Sequence, residues 1–129
     1  MKQFVEDSKP IYQQIAEGIE DEILRKVLAE GNQVPSTNQF ARHYQINPAT
    51  AAKGINLLVD EGILYKKRGI GMFVAEGALK SIQKKRQKQF FQEYVVPLME
   101  EAKKLNLDRK SIVKMIKDGM KEAGDDGGK

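Results

Sequence analysis

The chain has no cysteine and no tryptophan, only one histidine, and few aromatic residues. The missing thiols exclude disulfides, thiolate metal sites and a cysteine nucleophile. One imidazole, His43, cannot build a histidine-rich metal site, and it reads as a helix-surface residue. Glu100-Glu101 and Asp125-Asp126 have no companion base and read as surface charge. No glycine-rich loop of the phosphate-cradling kind is present. These absences lead to the expectation of a protein that is not an enzyme and needs no cofactor or metal. No run of about 18 apolar residues occurs, so no membrane-spanning helix is expected. The opening MKQFVEDSKP is polar and lacks the apolar core of a signal peptide, which implies a cytoplasmic protein.

What is present is charge, unevenly placed. The 129 residues carry a net +4, enough chain for one compact domain and an appendage. Residues 1–30 hold four basic against seven acidic groups, whereas residues 31–75 hold five basic groups against Asp60 and Glu61. Residues 76–129 hold thirteen basic against nine acidic groups. A basic middle segment behind an acidic helix fits a nucleic-acid face, although helices rich in Lys and Glu are also simply soluble.

Residues 1–9 read as irregular. Ile11, Ile15, Ile19 and Ile23 then recur every four residues, and Leu24, Val27 and Leu28 continue the stripe. That periodicity predicts an amphipathic helix from about Pro10 to Ala29, ended by Gly31-Asn32. Val34-Pro35-Ser36 is a short extended entry. Ser36 and Gln39 have the capping-box spacing, which starts a helix running to about Tyr44. Gln45-Ile46 forms a turn. Asn47-Pro48 places a good cap before a proline suited to the first helical position, and this helix runs to Glu61 before Gly62. Ile63–Lys67 and Met72–Val74 alternate as strands around Arg68-Gly69-Ile70-Gly71.

Two capped helices, a polar turn and a basic hairpin, in that order, make a helix-turn-helix with a wing. The helix beginning at Asn47 is the candidate recognition helix, presenting Pro48, Ala49, Thr50 and Lys53. Small residues let its backbone sink into the major groove, where Ala49 or the Thr50 methyl suits a thymine methyl. Lys53 suits a phosphate or a guanine. Ser36, Thr37 and Asn38 offer hydroxyls and free amides to phosphate oxygens, although Thr37 and Asn38 also serve as ordinary first-turn polar residues. Lys67, Arg68 and Gly69 belong to the wing. The cations Lys80, Lys84, Lys85, Arg86 and Lys88 read either as a solvated helix face or as contacts to flanking phosphates.

Beyond the wing, Leu79, Ile82, Phe90, Phe91, Tyr94, Val95, Leu98, Ala102 and Leu105 keep a helical period from about Glu76 to Leu105, interrupted by Pro97. Asp108 caps a last helix from Arg109 to about Lys121, with Ile112, Val113, Met115 and Ile116 apolar. Two helices make a poor independent core, so a partner is needed to bury the stripe. The simplest partner is a second copy, through Phe90, Phe91, Tyr94, Val95, Leu98, Ala102, Leu105, Ile112 and Ile116; packing onto the first domain is the rival arrangement. An apolar crevice near Phe90, Phe91, Tyr94 and Met99 would suit a small-molecule effector, but aromatic stripes at helical spacing are far more often core. The expected architecture is mostly α-helical with a small β-wing. It comprises a winged helix-turn-helix over residues 1–75, a helical dimerisation unit over 76–123 and a disordered tail over 124–129.

The residues Pro10-Ile11-Tyr12-Gln13-Gln14-Ile15, Val34-Pro35-Ser36, Phe40-Ala41, Ile46-Asn47-Pro48, Thr50, Leu58, Glu61-Gly62 and Gly69-Ile70-Gly71-Met72-Phe73-Val74 resemble those of GntR-family transcriptional regulators. Within them, the short YtrA-like subfamily is the nearest match, and Glu93, Pro97, Glu101-Ala102 and Leu105 are similar to its tail. The resemblance implies a homodimeric repressor on a two-fold operator of double-stranded DNA, dimerised by its C-terminal helices, lacking the larger ligand pocket of other branches, and often controlling ABC-transporter operons. The family usually carries Arg where this chain has Asn38, and many members carry Arg where it has Ala52; Pro48 is shared with YtrA-like members. Without those Arg contacts, heavier reliance on the wing and on phosphates is expected. The alternative is a protein-interaction module with degenerate or non-specific DNA binding.

Overall fold

The computed structural model describes residues 9–124. The irregular stretch expected over 1–9, Lys9 apart, and the tail expected from 124, Gly124 apart, lie outside the described residues. The chain divides into two compact units, Met1–Arg86 and Gln87–Lys129.

The first unit opens with helix α1, Ile11–Leu24. Of the expected isoleucine stripe, Ile15, Ile19 and Ile23 lie in the core, whereas Ile11, the first residue of the helix, is exposed. The helix stops earlier than the stripe predicts. Lys26 takes a left-handed φ of 64°, which ends the helical ladder. The amides of Val27 and Leu28 then both turn back to the Glu22 carbonyl, at 2.8 and 3.1 Å. Val27 is thus apolar but exposed and outside any helix.

Strand β1, Gln33–Val34, leads into α2, Thr37–Tyr44, and α3, Pro48–Asp60. Strands β2, Leu64–Lys67, and β3, Gly71–Val74, follow. The sheet is antiparallel with order β1-β3-β2. Its register sets Val34 opposite Met72, and Tyr65 opposite Phe73. The sequence shows Val34 only as part of an extended entry. It becomes a strand because β3, distant in the chain, offers it a free edge. α3 packs on α1, on α2 and on β2. Ala51, Ile55 and Leu58 are buried, and Val59 is half-buried beside them.

Gly54 lies at the crossing of α1 and α3. A β-carbon there would stand 2.7 Å from the Tyr12 carbonyl oxygen and 2.9 Å from Ile15 Cγ2. The helix backbone comes closer than any side chain allows, which offsets the roughly 1 kcal/mol that an internal helix glycine costs.

Helix α4, Ala78–Phe90, begins in this unit. Ala78 and Ile82 enter the same core, so the unit extends past residue 75 to Arg86. The start of α4 is capped from a distance. The Glu30 carboxylate accepts the amides of Gly77 at 2.9 Å and Leu79 at 3.1 Å. Farther along, Lys85 and Arg86 reach α1. Glu20, only 1% exposed, receives Lys85 Nζ on one oxygen and Arg86 Nε, at 3.0 Å, on the other. Arg86 also donates to Asp21 Oδ1 at 2.8 Å, and Lys85 to Glu61 Oε1 at 2.8 Å.

The second unit contains the end of α4, a π-helical turn over Phe91–Val95, α5 over Val96–Lys104 and α6 over Arg109–Glu122. The helical run breaks before Pro97, not at it. Proline has no amide and its ring crowds the carbonyl one turn back. The turn ahead of it widens, and the Val96 amide bonds to the Phe91 carbonyl. Asn106 turns left-handed at φ 60°. Asp108 caps α6 as expected, accepting the Ser111 amide at 2.9 Å. Among the described residues of this unit only Ala102 is buried.

The links to α4 can be tested at both ends. Glu20→Gln keeps the shape but removes the buried charge that Lys85 and Arg86 share, leaving them to Glu61 and Asp21. It should lower unfolding stability by about 2 kcal/mol, the scale of a hydrogen bond to a charged group. Urea denaturation measures it; an unchanged midpoint would show the network to be inert. Glu30 is held below the usual carboxylate range, chiefly by the Gly77 amide and then by that of Leu79. Its folded pKa is therefore lower than its unfolded one. Its contribution is present above the unfolded value, near pH 4.3, and is lost as pH falls through the folded value. Urea midpoints of wild type and Glu30→Gln should differ at neutral pH and converge in acid.

Candidate nucleic-acid interface

The N-termini of α2 and α3 are the chemically specific part of the first unit. Ser36 sits in extended backbone and closes the capping box: its hydroxyl accepts the Gln39 amide at 3.1 Å, and Gln39 Oε1 accepts the Ser36 amide at 2.9 Å. Thr37 is half-buried and Asn38 exposed in the turn that follows. Gln45 takes a left-handed φ of 54° and turns the chain into Asn47. Asn47 Oδ1 accepts the Ala49 amide at 2.7 Å, and Pro48 occupies the first position of α3. Neither helix has an acidic residue in its first turn. Remaining amides and the positive helix end therefore meet an approaching anion unopposed.

The core fixes which side of α3 is outward. With Ala51, Ile55 and Leu58 inward, Pro48, Ala49 and Lys53 are exposed and Thr50 is half-buried. Lys53 Nζ lies 4.2 Å from the centre of the Tyr12 ring. That cation–π contact extends the side chain over α1 without neutralising its charge. Ala52, at one of the positions where many GntR proteins have Arg, is half-buried.

The wing is stiffened by its own side chains. Tyr65 and Phe73 stack at 5.8 Å across the β2–β3 pair. Lys67 Nζ lies 4.9 Å from the Phe73 ring centre. Because side chains alternate across a strand, Lys66 faces the other way. Arg68 and Gly69 form the turn, with Gly69 at φ 77° and the Ile70 amide bonded to the Lys67 carbonyl at 2.9 Å. Among the described residues, the ion pairs engage Lys9, Lys85, Arg86, Lys104 and Lys114, and none involves Lys53, Lys66, Lys67 or Arg68.

The structure divides the cation run of α4. Lys85 and Arg86 are engaged by Glu20, Asp21 and Glu61, so the phosphate contact considered for them does not fit. Lys80, Lys84 and Lys88 are all exposed along the helix. His43 is exposed, edge-on to Tyr44 at 4.6 Å. Among the described residues no three His, Asp or Glu side chains are grouped to hold a metal, and no helix is long and apolar enough to cross a membrane.

In the second unit Phe90, Phe91, Tyr94, Leu98, Leu105 and Ile116 are exposed, while Val95 and Ile112 are half-buried. The Phe90 and Tyr94 rings meet at 5.4 Å. Ala102 is the exception among the expected interface residues, being covered already.

Sequence reasoning passed over Gln33, which braces the wing tip, and Gly54. An internal helix glycine was the available signal for the second; nothing near Gln33 announced the first.

The model of the gntR family of bacterial regulatory proteins matches residues 11–74, from the start of α1 to the end of β3. The helix-turn-helix transcriptional regulator YhcF of Bacillus subtilis is 31% identical over 87% of this chain and 91% of its own length. The chain belongs to the GntR family. The transcriptional repressor YtrA of Bacillus subtilis is 34% identical over 55% of each chain. A GntR-family regulator from Bacteroides thetaiotaomicron superposes with a TM-score of 0.77 at 33% identity, over 88% of this chain and 99% of its own. The DNA-binding domain of AraR, solved in complex with its operator ORR3, superposes with a TM-score of 0.51 at 29% identity, over 58% of this chain and 90% of that one. This GntR protein is accordingly a transcriptional regulator and not an enzyme.

The caps and the contacts at these helix ends should separate on mutation. Ser36→Ala and Asn47→Ala each remove a cap and should cost about 1 kcal/mol in unfolding stability. Thr37→Ala and Asn38→Ala should stay within about 0.5 kcal/mol of wild type, so a loss of DNA affinity in those two reports contact and not folding. Urea titration of the four variants checks the split.

Proposed function

We propose that this GntR protein is a homodimeric repressor that binds a two-fold operator of double-stranded DNA in a sequence-specific manner. The observation that carries the reading is the pair of capped, acid-free helix N-termini at Ser36 and Asn47, joined by a turn and followed by a wing whose cations have no acidic partner among the described residues. Pro48, Ala49, Thr50 and Lys53 enter the major groove. Ser36, Thr37, Asn38 and Asn47 meet phosphates through hydroxyls and amides, and Lys67, Arg68 and Gly69 hold the backbone from the wing. With Asn38 and Ala52 in place of Arg, fewer guanine contacts are available, each worth roughly 1–3 kcal/mol, so affinity rests more on phosphates. The operator complex of AraR and the repressor YtrA support this reading.

The second unit supports the dimer in this reading. Its stripe of Phe90, Phe91, Tyr94, Leu98 and Leu105 is exposed, clustered apolar surface of the kind that marks an interaction site, and a second copy supplies an identical complement. Half-covered Val95 and Ile112 and exposed Ile116 extend the seam. The resemblance to YtrA-like regulators points to an ABC-transporter operon as the target. No small-molecule effector is needed for this mechanism.

Fluorescence anisotropy of the protein on DNA from its own promoter, beside scrambled DNA at two salt concentrations, tests the reading. Promoter preference should persist at the higher salt. Lys67→Ala with Arg68→Ala should flatten the logarithmic salt dependence by about 0.9 for each phosphate that the wing no longer neutralises. Leu98→Glu should convert a sedimenting dimer to monomer. Equal binding to both DNAs would reduce the protein to non-specific binding. Absence of binding would favour a protein-interaction module.

A further inference from the structure

Ile70 stands at the tip of the wing, 63% exposed, on a turn otherwise made of Arg and Gly. A single exposed isoleucine is ordinary on a protein surface; its setting here is not. Gly69 and Gly71 flank it, both at positive φ, 77° and 145°. Neither has a side chain, so the tip is one side chain wide. The tip is also pinned. Gln33 Nε2, from the separate strand β1, donates to the Ile70 carbonyl at 3.1 Å. That same nitrogen lies 2.5 Å from where a β-carbon of residue 71 would stand, so glycine is what lets Gln33 in. Lys67 and Arg68 bring positive charge to the same turn.

The minor groove of B-DNA is about 6 Å wide and bordered by phosphates on both sides. A narrow, rigid, apolar tip flanked by cations is complementary to it. Within that groove, G·C differs from A·T by the guanine 2-amino group. Isoleucine offers that donor no acceptor, and pressing it against the amine removes water without replacing the hydrogen bond. Apolar side chains aimed into the minor groove are an established means of DNA recognition.

We infer that Ile70 is a minor-groove probe selecting A·T pairs beside the segment read by α3, and that Gln33 is its positioning residue. This rests on the operator-binding reading above.

The test uses the full-length protein and its promoter site, with the wing-contacted pairs located by hydroxyl-radical footprinting. Those A·T pairs are replaced by G·C, or by inosine·C, which keeps the G·C major-groove pattern but lacks the 2-amino group. Wild type should bind the G·C operator about tenfold more weakly and recover most of that on inosine·C. Ile70→Ser should bind all three within about twofold. Gln33→Met, similar in size but without the donor, should lose most of the discrimination while its melting temperature stays unchanged, an outcome a merely structural role for Gln33 would not give. Equal wild-type weakening by G·C and inosine·C, with promoter preference intact, would overturn this inference alone, as would discrimination that survives Ile70→Ser. Wild type that never prefers promoter over scrambled DNA would overturn the operator reading and this inference with it.

Discussion

The close approach of α1 and α3 at Gly54 is the contact on which the first unit depends. With no β-carbon at that point, the backbone of α3 rests directly against Tyr12 and Ile15. Ile15, Ile19 and Ile23 can then meet Ala51, Ile55 and Leu58 in one core. That packing fixes the rotation of α3 about its axis. The rotation in turn decides that Pro48, Ala49 and Lys53 face outward, and it sets Lys53 over the Tyr12 ring. A side chain at residue 54 would displace the helix that carries Pro48, Ala49 and Lys53, although it touches none of them.

Charge is divided between structure and surface by burial. Glu20 is enclosed and must be compensated, so it takes up Lys85 and Arg86. Such buried networks contribute less to stability than their Coulomb attraction suggests, because desolvation opposes it. Their geometry is nevertheless specific. Glu20 and Asp21 of α1 and Glu61 at the end of α3 are joined to α4 through Lys85 and Arg86 at defined atoms. The cations of α3 and the wing have no such obligation. Lys53 and Lys67 are held by aromatic rings, which orient an ammonium without cancelling its charge. The same residue type therefore serves as a strut in α4 and, in the wing, as a cation outside the ion pairs of the described residues.

The second unit shows how little core two helices can build. Its periodic apolar residues are real helix-face residues, yet Ala102 alone among those described is buried. Pro97 forces the widened turn at Phe91–Val95, which shifts the phase of the stripe between α4 and α5. Residues that look continuous in a simple helical projection are offset by that turn. The apolar face that results stays exposed among the described residues.

Local physics made much of this legible in the sequence. Ser36, Asn47 and Asp108 cap their helices as their spacing predicts, since a cap is a contact between residues two or three apart. The helix-turn-helix, the wing and the family resemblance all followed from such short-range signals. The sequence by itself determined where helices begin, which faces are apolar and what kind of regulator the chain is. Tertiary structure alone decided the rest. It stopped α1 at Leu24, recruited Gln33–Val34 as an edge strand, engaged Lys85 and Arg86 in ion pairs, and braced the wing tip with Gln33. Each of these joins groups far apart in the chain or sets one backbone angle against a strong periodic pattern. Neither propensity nor spacing records which distant partner will be there, so only packing could choose.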